Sequence, residues 1–166
     1  MRLRRVVLGA LACFLLFEPV VTARAQTGKN ELEKVTAFKL KTAGFGPASA
    51  VCGLDATSAV EAFSAPLREA GVMILDSSSG YWISLRVTSL TLDSETCITY
   101  AETAVFQTTR YFNTATRSER VGTVRHWIDG GFFASSKETH VGVVLRGFHD
   151  LGSNLAQRWG DDQSSQ

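Results

Sequence analysis

Several catalytic and metal-binding signatures are missing from this chain. It contains no CxxC, no GxSxG, and no HxH or HxxxH among its three histidines, His126, His140 and His149. The first absence removes a dithiol redox motif, the second a nucleophile elbow, and the third a ready-made pair of imidazole metal ligands. His140 and His149 stand nine residues apart, which on a helix puts them on different faces. The carboxylates have structural roles: Asp55 and Glu61 suit helix capping and Asp129 suits a turn. From these absences no catalytic residue, cofactor or metal site is expected.

A long apolar run is also lacking. Val6 to Phe17 spans 12 residues and is broken by Glu18 and Pro19, short of the roughly 20 needed to cross a bilayer. Preceded by Arg2, Arg4 and Arg5 and followed by Ala23-Arg24-Ala25, it reads as a secretory signal peptide over residues 1–25, cleaved after Ala25. The mature chain then has no stable membrane span. Leu11-Ala12-Cys13 makes a poor lipobox, because Ala10 replaces a large aliphatic residue and Phe14 to Phe17 extends the apolar run past the cysteine. Arg4-Arg5 is a faint twin-arginine signal, leaving the export route open between Sec and Tat.

Net charge of either sign is nearly absent once the leader is gone. The full chain has 17 basic and 16 acidic residues, whereas residues 26–166 have 13 and 15, a net of −2. That leaves no basic field to attract nucleic acid or anionic lipid, and neither is expected as a partner. The 141 residues suffice for one domain with its own core. Residues 26–33 read as a flexible leader, 34–160 as a single domain and 161–166 as a polar tail.

Cysteine is rare, and Cys13 leaves with the signal, so the exported chain keeps Cys52 and Cys97. In an oxidising compartment such a pair is expected to form a disulfide. A bridge spanning 45 residues restricts the unfolded chain by about 4 kcal/mol on the chain-entropy model.

The remaining pattern predicts an α+β fold in the order β-α-β-β-β-β-α. A first strand covers 34–42, and a glycine-rich loop follows over 43–51. Ala59, Val60, Phe63, Leu67 and Ala70 then mark a helical face, started by Asp55 or by Ser58 with Glu61 and stopped by Gly71. Pro66 predicts a kink, or a second short helix from Ala65. Val72 to Leu75 reads as a buried strand. Tyr81 to Leu92 alternates, with Ile83, Leu85 and Val87 opposite Trp82, Ser84 and Arg86. Cys97 to Phe112 is a long strand apolar on both sides, so its core face is open at this stage. Arg120 to Ile128 alternates Arg125 and Trp127 against His126 and Ile128, and Asp129-Gly130-Gly131 is expected to end it. A capping box at Ser135 and Glu138 opens a last helix, striped by Val141, Val144, Phe148, Leu151, Leu155 and Trp159 and stopped by Gly160. Its glycines either permit close packing or loosen it. The result is a mostly antiparallel sheet of four or five strands with two helices on one face.

The other face is then free. Trp82, Arg86, Arg125 and Trp127 fall on it in this reading, making it a candidate surface for a protein partner. The order of strand, Cys52-Gly53-Leu54-Asp55 helix, meander carrying Cys97, Trp127-Ile128 near a strand end, and terminal helix reaching Arg158-Trp159 resembles small secreted proteins of Gram-negative bacteria. At the level of fold it is similar to the amino-terminal domain of TolB and to curli-secretion-type lipoproteins. The resemblance implies a periplasmic or secreted, non-catalytic binding or envelope-assembly accessory with a partner in the cell envelope. The alternative is a small-ligand carrier or small periplasmic enzyme with a site near residues 43–51.

Overall fold

The strict alternation from Tyr81 to Val87 sets the layering of the molecule. In the computed structural model, which describes residues 32–76 and 80–164, Ile83, Leu85 and Val87 are fully buried while Trp82, Ser84 and Arg86 face the other way. The signal peptide expected over residues 1–25 lies outside the described residues. The elements run β1 (Ala37–Ala43), α1 (Pro47–Val51), α2 (Ala56–Glu69), β2 (Met73–Leu75), β3 (Tyr81–Thr91), β4 (Thr96–Asn113), β5 (Ser118–Ser136) and α3 (Lys137–Gln163). They form one mixed sheet in the order β2-β1-β3-β4-β5. β1 runs parallel to β2 and β3, and the longer β3/β4 and β4/β5 ladders are antiparallel.

All three helices lie on one side, which makes the fold α+β as expected and adds the short α1. Phe63 and Leu67 of α2 and Val144, Phe148 and Leu155 of α3 close the core over Phe38, Ile83, Leu85, Val105 and Ala101. Each fully buried side chain of this size contributes about 1.5–3 kcal/mol. On β4 the core side is the one carrying Cys97, Thr99, Ala101, Thr103 and Val105, all fully buried. Periodicity could not choose it because two of the five are threonines. No helix among the described residues is long and apolar enough to cross a membrane.

Several local expectations change. Asp55 is the N-cap of α2, its carboxylate accepting from Ser58 N at 2.9 Å. That bond holds its carboxyl below the ordinary carboxylate value. Pro66 leaves α2 a single helix to Glu69; it deletes one bond near the C-terminus, and its carbonyl still accepts from Ala70 N. β5 does not stop at Asp129 but runs through both glycines to Ser136, paired all the way with β4. Ser136, not Ser135, is the N-cap of α3. In α3, a Cβ on Gly152 would lie 2.2 Å from Phe63 O, so this glycine is what lets α2 and α3 pack at that distance.

The two chain ends described are tied together. α3 continues past Gly160 to Gln163, so the expected polar tail begins inside a helix. Buried Asp162 accepts from Leu32 N at 3.1 Å and pairs with Arg158 at 3.3 Å. Gln163 Nε2 donates to Leu32 O, and Trp159 Nε1 donates to Val35 O. Leu32, expected in the flexible leader, is buried under these contacts. Cys52 and Cys97 form a disulfide with Cα atoms 5.9 Å apart, fastening the α1–α2 junction to the start of β4.

Candidate functional site

The sheet face away from the helices is built from side chains that the core does not use. Trp82 on β3 stands directly opposite Phe106 on β4, and their rings stack at 4.4 Å with 20° between planes. Lys41 on β1 sets its ammonium 4.0 Å from the Trp82 ring centre, a cation over an aromatic face. Arg125 on β5 is paired across from Phe106, and Arg86 across from Glu102. A second aromatic pair, Tyr100 and Phe132, lies further along the same face at 4.8 Å. Tyr100 Oη donates to Glu102 Oε2 at 3.1 Å; burial of the phenol first, then the Glu102 charge, raises its pKa above 10.0. Phe132 is 79% exposed.

Of the four residues read from the sequence as this surface, the structure places three together. Trp82, Arg86 and Arg125 share the face; Trp127 is turned to the opposite side and buried. The cause is a β-bulge. Phe106 pairs with Arg125 but Val105 pairs with Trp127, so His126 is an extra residue that reverses the in-out alternation between its neighbours. His126 Nε2 lies 3.0 Å from Gln107 Oε1 and its ring packs against Tyr81. Phe106, Lys41 and the Tyr100–Phe132 pair were missed, since each acquires its meaning from a cross-strand partner distant in sequence.

A second polar constellation lies inside the core. Ser49 donates to Gly44 O and lies 3.2 Å from Ser89 Oγ; Ser89 is 2.9 Å from Thr99 Oγ1, which is 2.8 Å from His140 Nε2. His140 Nδ1 meets Ser135 Oγ at 2.9 Å. His140 is 0% exposed, and burial lowers its pKa below 6.5, favouring the neutral ring. Hydroxyls occupy both ring nitrogens, and no carboxylate orients the imidazole as a hydrolytic triad requires. The chain of bonds satisfies buried polar groups beside the disulfide.

An open groove of about 340 Å³ lies along the outer strands, lined by Lys39, Leu40, Thr42, Val60, Ile74, Leu75 and Asp76. It sits beside, not within, the 43–51 loop. Among the described residues no group of three or more His, Cys, Asp or Glu side chains is placed to hold a metal ion.

No protein-family model matches the chain. No curated protein matches it either. Among solved structures it is similar to a minor lipoprotein from Acinetobacter baumannii, with a TM-score of 0.40 and 8% identity over 77% of this chain and 92% of that one. It is also similar to the PelC dodecamer from Paraburkholderia phytofirmans, with a TM-score of 0.36 and 13% identity over 73% of this chain and 88% of that one.

Proposed function

We propose that the protein is an extracytoplasmic, non-catalytic binding or envelope-assembly accessory that presents its open sheet face to a protein partner. The observation carrying this reading is the Trp82–Phe106 stack, roofed by Lys41 and flanked by Arg125, on a face that no helix among the described residues covers. Aromatic and arginine side chains dominate the energetics of protein interfaces, and these are not needed to close the core. The export pattern and the disulfide support an oxidising compartment. A photo-cross-linking amino acid at Thr88, on this face, should give a discrete adduct in intact cells, and one at Thr57 on α2 should not. Equal labelling from both positions, or none from either, contradicts the proposal.

The groove along β1 and β2 supports a second reading, a small-ligand carrier. Lys39, Thr42 and Asp76 would supply its polar anchors and Leu40, Val60 and Ile74 its apolar wall. A metabolite that raises the melting temperature of the wild type but not of Val60→Trp would favour it.

A further inference from the structure

The β4/β5 ladder outlasts the rest of the sheet. The last residue of β4 paired with β3 is Gln107, opposite Tyr81, yet β4 and β5 remain paired to Asn113 and Ser118. Six residues on each strand therefore form a two-stranded arm reaching about 20 Å at 3.4 Å per residue. The Asn113 side chain closes its turn by accepting from Ala115 N and Thr116 N.

Charge is distributed unevenly between arm and body. Residues 108–123, the arm and its turn, carry Arg110, Arg117 and Arg120 against Glu119 alone, a net of +2, whereas the other described residues hold nine basic and thirteen acidic side chains. The near-neutral total hides a cationic arm on an acidic body. The arm also exposes large apolar groups, Phe112 at 61% and Val121 at 67%. β5 is an edge strand of the sheet, paired with β4 alone among the described strands, and no proline guards it.

We infer that the arm is a strand-addition site: an extended, acidic segment of a partner protein pairs with the β5 edge over residues 118–124. Backbone hydrogen bonds to the edge would supply affinity, the arginines charge complementarity, and Val121 and Val124 the apolar side-chain contacts. An anionic bilayer fits less well. The arm has no single apolar face, because Phe112 and Tyr111 are adjacent on β4 and point to opposite sides, and its tip, Thr114-Ala115-Thr116-Arg117, is polar or small. The site is separate from the Trp82 face and stands whether or not that face has a partner.

Fluorescence anisotropy of the purified protein with a labelled heptapeptide alternating glutamate and valine tests this. The acidic peptide should bind, a lysine–valine peptide should not, and N-methylation of alternate backbone nitrogens should abolish binding, since a methylated nitrogen cannot join the ladder. The exposed double variant Arg110→Glu/Arg120→Glu should bind about ten-fold more weakly with an unchanged melting temperature. Three outcomes overturn the inference: no binding of the acidic peptide; equal binding of its methylated form, which reduces the arm to a charge patch; or capture by phosphatidylglycerol vesicles and not by the peptide, which makes the arm a lipid contact. Sedimentation velocity adds a fourth, a dimer of this chain lost in the double variant, which would make the occupant of the edge a second copy.

Discussion

The two faces of the sheet use the same residue classes for different ends. On the covered face Ile83, Leu85, Val87 and Val105 are fully buried beneath α2 and α3, and each is accounted for by the core. On the open face aromatics and cations interleave: Trp82 on Phe106, Lys41 over Trp82, Tyr100 on Phe132. Such a ladder adds only tenths of a kcal/mol to about 1 kcal/mol per pair to folding. Stability is therefore concentrated on the covered face, recognition is proposed for the open one, and substitutions should separate them.

The largest effect is expected from the covered face. Phe63→Ala, at a fully buried site, should cost about 3–5 kcal/mol in urea unfolding. Losing the bridge, by Cys52→Ala with Cys97→Ala, should cost about 2–4 kcal/mol under oxidising conditions and nothing further under reducing ones. Gly152→Ala should cost about 1–3 kcal/mol, because its methyl meets the Phe63 carbonyl where α2 and α3 touch. Trp82→Ala, on the open face, should cost about 1 kcal/mol or less and leave the unfolding m-value unchanged. If Trp82→Ala proves as damaging as Phe63→Ala, the open face is a second core and the contrast fails.

Acid sharpens the same comparison from inside the covered face. His140 has a folded-state pKa below its ordinary 6.5, so the unfolded chain takes up its proton first as pH falls. Its contribution is intact above pH 6.5 and is lost on descent from 6.5 through the lower folded value. His140→Gln should flatten the pH dependence of unfolding across that interval, even though it lowers stability overall.

Much of this layout could be read in the residues. Alternation in β3 assigned both of its faces correctly, Asp55 was one of two candidate starts of α2 and is its cap, and Cys52 and Cys97 announced their bridge. Three things were hidden for a physical reason. The bulge at His126 is a property of the β4/β5 register, fixed by side chains twenty residues apart, so Trp127 and Arg125 seemed to share a side. β5 passes through Gly130 and Gly131 because full pairing with Glu102 and Ala101 overrides the turn preference of glycine. The cationic arm vanished into the net charge of −2 over residues 26–166, because a sum has no position.

The most direct test joins the two faces in one protein. The double variant Trp82→Ala/Arg86→Ala is carried on the chain with the cross-linking residue at Thr88, and its melting temperature and its adduct are measured together. The account predicts a melting temperature within a few degrees of wild type and loss of the adduct. A stable variant that still forms the adduct at wild-type level would contradict it.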